Sequence, residues 1–341
     1  MTEQELVRQW ERFFRDRGIP DNLVERYLGY ATHLLENEVP VIFELEHLSK
    51  LLGIDYSMLC EMVNAASFFY RDFVISKKRG GKRYLSSPYP SLLSCQHWIY
   101  KNIFLKSSVH DSAHGFVNNR SIITNASVHL GQDALLKMDI KDFFGTIPIN
   151  WVINYFSGLG YANNVSYYLS ALCCNDGVLP QGAATSPYLS NILLYHLDER
   201  LTKLANSYGV NYTRYADDLT FSGKYVPHYF SKIVSQIVND FGLLVNEDKT
   251  RLHTKPGQRI VTGISVSGNE PKLPRPTKRQ LRKEMFFIRK YGLLSHMSKM
   301  KINNVSYLSS LEGKFVFWLQ VEPNNRFAAE AVEYVKKLKA V

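Results

Sequence analysis

The chain is poor in cysteine, has no sustained apolar run, and carries too few acids to balance its bases. Only Cys60, Cys95, Cys173 and Cys174 occur in 341 residues. They form no Cys-x-x-Cys pair and no His/Cys cluster, which excludes a zinc framework and a disulfide scaffold and fits a reducing cytoplasm. No stretch approaches the ~20 apolar residues of a membrane span. Met1-Thr-Glu-Gln-Glu5 lacks the basic start of a signal peptide, so a cytoplasmic protein with no membrane partner is expected. Internal repeats and low-complexity tracts are also missing. Hydrophobic residues at 45% and aromatics at 13% exclude a disordered chain and allow two or three packed units. The shortage of acids leaves a net charge of +10 and a pI near 9.2, which favours a polyanionic partner, nucleic acid before membrane.

Residues 1–70 read as helical, with Leu6, Trp10, Phe13 and Phe14 at helical spacing and a second patterned run after Pro20. Leu48 to Val63 turns at Gly53 and has the outline of a DNA-binding helix-turn-helix. Its second helix offers no Arg, Lys, Asn or Gln to a base edge, so a packing element is expected instead. Phe73 to Pro88 alternates and turns at Gly80-Gly81, giving a strongly basic hairpin. It is either a solvated loop or a finger whose Lys82 and Arg83 clamp a triphosphate, a task suited to the planar fork of Arg. Trp98 to Leu105 reads as a buried helix. His129, alone on its segment, is expected to be a satisfied structural histidine.

Two stretches carry carboxylates in a strand setting. In Ala134 to Phe144, Leu136, Met138 and Ile140 alternate with Leu135, Lys137, Asp139 and Lys141, as in a strand. Asp139 could merely pair with those lysines. The same strand end also supplies a rigid carboxylate and, five residues on, the flat ring of Phe144. Asn211 to Ser222 reads as a β-hairpin with Tyr215-Ala-Asp-Asp218 at its tight centre. Asp tolerates turn dihedrals, so a polar tip is one reading. Adjacent carboxylates between core-facing strands, however, repel unless a cation lies between them.

Leu179-Pro-Gln-Gly-Ala-Ala-Thr-Ser-Pro187 is a small-residue loop entering a helix, with Ser186 expected as N-cap and Leu189, Leu193, Leu197, Leu201 and Leu204 on one buried face. It is a turn and cap, or a place where backbone approaches a substrate closely. Phe230 to Phe241 forms an amphipathic helix stopped by Gly242, and Leu243 to Thr250 is expected to return as a strand with Lys249 near its end. A hairpin follows over 259–268. The proline-rich 269–277 then reads as a boundary or linker. The remaining tail is helical, with Leu281, Met285 and Ile288 inward and Lys278, Arg279, Arg282, Lys283, Arg289 and Lys290 outside. Such a charge run is often a solvated face. Here Glu284 is nearly alone among the cations, and nucleic-acid contact is expected.

Joining a nucleotide to a strand displaces a leaving group in line at a highly charged phosphorus, so the protein mainly holds hard cations and aligns reactants. One Asp at a strand end and two on a neighbouring hairpin tip, Asp139, Asp217 and Asp218, meet that need.

In order, the chain carries the basic hairpin, Asp139…Phe144, Leu179-Pro-Gln-Gly182, Tyr215-Ala-Asp-Asp218, Gly242…Lys249 and Val261-Thr-Gly263. This order resembles the core of reverse transcriptases, from about residue 71 onward. Asn125-Ala-Ser-Val-His129 and Val261-Thr-Gly263 further resemble the pair of motifs that marks retron-type bacterial reverse transcriptases. The resemblance implies an α+β right-hand polymerase (fingers-palm-thumb) with a helical N-terminal extension: residues 1–70 helical, 71–268 fingers and palm, 269–341 a basic helical thumb. It implies two Mg²⁺ ions, replaceable by Mn²⁺, on Asp139 and Asp217 with Asp218 supporting. Phe144 would be the steric gate against ribose, and Gln181 would line the nucleotide pocket. Lys82 and Arg83 would touch the triphosphate, and Lys249 would protonate pyrophosphate. Lys278, Arg279, Arg282 and Lys283 would grip nucleic acid. Implied partners are dNTPs, a structured non-coding RNA, its branched RNA-linked DNA product (msDNA), primed from a guanosine 2′-OH, and an anti-phage effector protein. Rival readings are a diversity-generating or abortive-infection reverse transcriptase and a non-catalytic RNA-binding scaffold.

Overall fold

The computed structural model describes residues 3–76, 80–254 and 257–339. In chain order they form α1 (Glu3–Asp16), α2 (Asp21–Glu36), α3 (Leu45–Leu52), α4 (Tyr56–Asn64), β1 (Tyr70–Ser76), β2 (Lys82–Pro88), α5 (Pro90–Asn102), α6 (Ile122–Ser127) and β3 (Ala134–Asp139). Then follow α7 (Ile149–Gly158), α8 (Asn163–Cys173), α9 (Ser186–Leu193), α10 (Tyr195–Ser207), β4 (Asn211–Tyr215), β5 (Asp218–Gly223) and α11 (Phe230–Asp240). β6 (Arg251–His253), β7 (Ile260–Val261), β8 (Ile264–Ser265), α12 (Arg275–Tyr291), α13 (Leu293–Lys299), α14 (Tyr307–Val321) and α15 (Arg326–Lys339) complete the order. Two compact units share these elements. One comprises Met1–Val117, Ile140–Arg200 and Ser235–Asn246; the other comprises Asn118–Asp139, Leu201–Val234 and Glu247–Val341.

In the first unit, α3 and α4 meet at Gly53, whose φ of 66° is the left-handed turn that lets the helix end there. α4 buries Leu59, Met62 and Val63 and packs on α8, so the helix-turn-helix outline is a packing element. β1 and β2 form the expected antiparallel hairpin; Lys77, Lys78 and Arg79 of that basic run lie outside the described residues. The buried helix expected over 98–105 is instead the end of α5 followed by a separate short turn at Phe104–Lys106. α5 buries Leu92, Cys95, Gln96 and Ile99 on one face, which puts an amide in an apolar stripe. That amide is fully used. Gln96 Nε2 donates to the Tyr70 hydroxyl at 2.8 Å and to Leu172 O at 3.0 Å, while its oxygen accepts from Ala184 N at 3.1 Å. One side chain thereby ties β1, α8 and the loop before α9 together, and its polar atoms are satisfied within the core.

That loop is the Leu179-Pro-Gln-Gly stretch. Gln181 O accepts from Ser86 N of β2 at 2.9 Å, pinning the loop to the hairpin. Helix α9 starts one residue earlier than expected of its cap: Thr185 occupies the N-cap position and Ser186 is already helical. The leucine-patterned run is also two helices, because Leu194 interrupts it between α9 and α10.

The second unit is built on an antiparallel sheet of order β4-β5-β3-β6. β3 lies between β5 and β6, with Leu135, Leu136 and Met138 buried across both its faces. Tyr212 and Phe221, opposite each other on β4 and β5, stack at 4.7 Å. Leu135 also packs with Ala126 of α6, Val261, Ile264 and Val266 around the β7–β8 turn, and Val321 of α14. The proline-rich 269–277 is anchored, since Lys272 and Ser265 exchange both backbone hydrogen bonds. Beyond it, Leu281, Met285 and Ile288 of α12 face inward as the periodicity predicts, against Leu311, Phe315 and Trp318 of α14 and Ala328, Ala331 and Val335 of α15.

The loop carrying Gln181 yields a test of local packing. Gly182 has φ of +128°, and a Cβ there would lie 2.8 Å from the backbone oxygen of Ser86. Gly182→Ala should destabilise by about 2–3 kcal/mol, strain and clash together. Gly158→Ala, where a Cβ meets nothing within 4 Å, should be neutral. Urea titrations showing equal stability for both variants would refute this account of the loop.

Candidate functional site: a carboxylate cluster on the central sheet

The β3–β5 register sets Asp139 directly opposite Asp218. The β4–β5 register sets Tyr215 opposite Asp218, which leaves Ala216-Asp217 as a two-residue turn between those strands. Ala216 adopts φ of 55°, a left-handed conformation that costs a non-glycine residue roughly 1 kcal/mol or more. The strained turn is braced by Arg214, a guanidinium with no solvent exposure, whose Nη1 donates to Ala216 O at 3.3 Å. Asp139 and Asp218 thus lie at the ends of adjacent strands, and Asp217 lies on a turn held from within.

Electrostatics record the crowding. Burial, then the neighbouring charges of Asp218 and Asp139, push the Asp217 carboxyl up to about 6. Burial also raises Asp218, with Lys137 pulling the other way. Lys249 supplies the counter-charge: its ammonium donates to Asp139 Oδ1 at 2.7 Å and Oδ2 at 2.9 Å. The expected strand around Lys249 is absent. It lies in a 3₁₀ turn over Glu247–Lys249, and β6 begins only at Arg251. That turn is what lets the long side chain swing toward the end of β3 instead of lying along a sheet face.

Among the described residues, no group of three or more His, Cys, Asp or Glu side chains is gathered into a metal cage. Lys249 instead holds both oxygens of Asp139. Nonetheless, the donor set fits a hard divalent ion. It is all carboxylate oxygen, and Mg²⁺ keeps few protein ligands.

The remaining expected residues are distributed as follows. Phe144, five residues past Asp139, is half-buried in the first unit with its ring edge-on to Phe143 at 5.0 Å. Gln181 sits in the pinned loop described above. Lys82 and Arg83 are exposed on β2 of the same unit, opposite Ser76 and Ile75. In the second unit, Arg279, Arg282 and Lys283 are exposed on α12. Lys278 departs from the expected outward face: its ammonium is bound to both oxygens of Glu322 at 2.9 and 3.2 Å and is largely covered. Glu322 also accepts from Leu273 N, so this ion pair fastens the start of α12 to the end of α14.

The two short motifs 137 residues apart meet. Asn125 Nδ2 lies 3.4 Å from Thr262 Oγ1, which itself donates to Ile122 O at 3.0 Å, and Ala126 packs on Val261. His129 is fully buried, bridging Ser222 Oγ at 2.6 Å and Thr213 Oγ1 at 2.7 Å, and so clamps the segment after α6 to β4 and β5. Sequence reasoning missed Arg214 and Gln96. The signal for each was a polar residue at a core position of its own periodicity, Arg214 in register with Tyr212 and Gln96 among Leu92, Cys95 and Ile99.

The raised carboxyl of Asp217 has a consequence for stability in chelator. A carboxyl whose folded value lies above its ordinary one favours folding below about pH 4, and that contribution is lost as pH rises through about 6. Asp217→Asn should therefore be more stable than the parent at pH 8, by on the order of 1–2 kcal/mol, with the gap closing near pH 4. Melting curves across that range decide it, and a variant less stable than the parent at pH 8 would contradict the crowding.

Comparison with known proteins agrees with this geometry. The family model for reverse transcriptase (RNA-dependent DNA polymerase) matches residues 75–309. The retron Ec86 reverse transcriptase of Escherichia coli is 33% identical over 294 residues, covering 81% of this chain and 92% of that protein. The retron Mx162 reverse transcriptase of Myxococcus xanthus is 33% identical over 314 residues, covering 75% of this chain and 64% of that protein. The retron Se72 reverse transcriptase of Salmonella heidelberg is 30% identical over 273 residues, 77% of this chain and 72% of that protein. The fold is accordingly the α+β right-hand polymerase with helices preceding it, the activity is RNA-directed DNA synthesis, and the family works with divalent metal ions. Among the described residues no helix is long and apolar enough to cross a membrane. This chain belongs to the reverse transcriptase family and, within it, to the retron reverse transcriptases.

Proposed function

We propose that this enzyme copies part of a folded non-coding RNA into single-stranded DNA that stays joined to the RNA through the 2′-OH of one guanosine, and that it does so in the cytoplasm with an effector protein in anti-phage defence. The observation that carries the reading is the register of β3 with β5, which sets Asp139 against Asp218 with Asp217 on the adjoining turn. The meeting of Asn125-Ala-Ser-Val-His129 with Val261-Thr-Gly263 supports the retron class in particular.

Asp139 and Asp217 would hold two Mg²⁺ ions, with Asp218 behind them and Mn²⁺ as a substitute. Bound there, the ions would supply activation of the attacking hydroxyl and charge neutralisation on the departing pyrophosphate. The protein's own groups do the rest. Lys249, which holds Asp139 here, would be the cation that gives a proton to the departing pyrophosphate once the ions take that carboxylate. Arg214 keeps the turn from relaxing when the charges rearrange. Phe144 excludes ribonucleotides by bulk. Gln181 lines the nucleotide pocket on a loop that Gln96 and Ser86 hold still. Lys82 and Arg83 meet the triphosphate. In domain terms we assign fingers and palm to 71–268, the thumb to 269–341, and a helical region to 1–70. On the thumb, Arg279, Arg282 and Lys283 take phosphates of the RNA partner, and Lys278 holds Glu322 in place instead.

Self-priming demands that an internal 2′-OH reach the carboxylate cluster, and a folded RNA can supply that positioning where an unstructured one cannot. Co-expression with the neighbouring non-coding RNA should yield DNA that debranching enzyme releases from RNA. Asp217→Asn should abolish it by orders of magnitude. DNA unchanged by debranching and started from an added 3′-OH primer would assign the chain to another reverse transcriptase class. Separately, Phe144→Ala should raise ribonucleotide incorporation relative to deoxynucleotide, because the 2′-OH no longer meets a ring. Unchanged discrimination would remove Phe144 from the pocket.

A further inference from the structure

The second unit carries a surface cavity of about 300 Å³ lined by Arg282, Met285, Phe286, Arg289, Lys290 and Phe327. Five of the six recur at spacings of three and four, so one face of α12 supplies them and α15 supplies Phe327. Met285 is the fully buried floor, whereas Phe286 is 56% exposed. The guanidinium carbons of Arg282 and Arg289 lie 5.4 and 5.9 Å from the Phe327 ring centroid, and Lys290 Nζ lies 5.6 Å from that of Phe286. Among the described residues no carboxylate lines the cavity. The one acid of α12, Glu284, is turned to Gln280 and Tyr307.

Two arginines beside the half-buried Phe327 and a lysine beside the exposed Phe286 constrain the occupant. A solvated helix face accounts for the charges but not for a cavity with a buried apolar floor and two rings in its wall. A track for duplex backbone likewise needs charge and shape, not a ring. The volume is at the lower end of the ~300–1,000 Å³ of small-molecule pockets, enough for one nucleoside and too small for a peptide helix. An unpaired nucleotide uses every part: the base stacks on an apolar face and its phosphates meet the cations. Phe327 is half-buried between Arg282 and Arg289, whereas Phe286, with Lys290 beside it and Phe287 edge-on, is the more exposed ring and the one a base can reach.

We propose that this cavity binds one unpaired nucleotide of RNA, its base on Phe286 and its flanking phosphates on Arg282, Arg289 and Lys290. The proposal rests on the RNA-binding reading given above and narrows it from helical backbone to a junction between paired and unpaired RNA.

The test uses the full chain and two probes, a blunt RNA hairpin and the same hairpin with an unpaired oligoadenosine tail, titrated by fluorescence anisotropy at fixed salt. The parent protein should favour the tailed hairpin. Phe286→Ala should reduce that preference by about 5- to 100-fold, the worth of one stacked base. Phe286→Tyr should keep it, and Phe286→Leu, which retains bulk without a π face, should lose it as Ala does. Arg289→Gln with Lys290→Gln should flatten the salt slope for the tailed probe by roughly 0.7 per lost contact. A parent with no tail preference, a Leu variant that binds like the parent, or an Ala variant that weakens both hairpins equally would each overturn the site. A parent that prefers the tail but extends no primer would overturn the polymerase reading alone.

Discussion

Mutual repulsion among Asp139, Asp217 and Asp218 is the constraint that the rest of the second unit is arranged to withstand. Like charges separate when their supports are soft, so each carboxylate is mounted on something that cannot yield. Asp139 ends a strand buried on both faces and paired on both edges. Asp217 and Asp218 follow a left-handed alanine that a buried guanidinium holds. Burial, and after it the charges of Asp218 and Asp139, raise the Asp217 carboxyl, while Lys249 neutralises Asp139. A site in this condition is poised to accept positive charge, because any cation entering relieves repulsion already present.

The first unit secures its parts by a different means. Its sequence-predicted residues lie on a loop and a hairpin, which on their own would be the most mobile parts of a domain. Gln96 offsets that mobility by placing three hydrogen bonds inside an apolar stripe, and Ser86 adds a fourth between strand and loop. Buried and fully satisfied polar groups of this kind fix one arrangement among several that packing alone would tolerate.

How much of this could be read in the chain depended on whether the signal was local. Period-two alternation marked β3, and the tight acidic centre marked the β4–β5 turn, because both follow from neighbours in sequence. The inward stripe of α12 was equally legible. Lys249 was not, since an expected strand continued through residues that instead form a 3₁₀ turn, and its partner Asp139 is 110 positions away. Arg214, Gln96 and the Lys278–Glu322 pair share that obstacle. A polar residue on a periodic face looks solvated until the distant group that satisfies it is known. The same holds for Asn125 and Thr262, whose motifs were recognisable separately while their contact was not.

The interleaving of the two units carries a consequence for how the molecule comes into being. Neither is a contiguous segment: the first closes only when residues 235–246 join it, and the second begins at 118 yet needs α12 to α15 for its core. Emerging vectorially from a ribosome, the early helices and the β1–β2 hairpin would wait with apolar surface uncovered while the middle of the chain is still being made, the condition that recruits holding chaperones. The Ile122–Thr262 and Leu135–Val321 associations close long loops and belong among the last to form. Dissection by a single cut should therefore give no autonomous half, and reassembly from fragments would have to supply pieces of both units together.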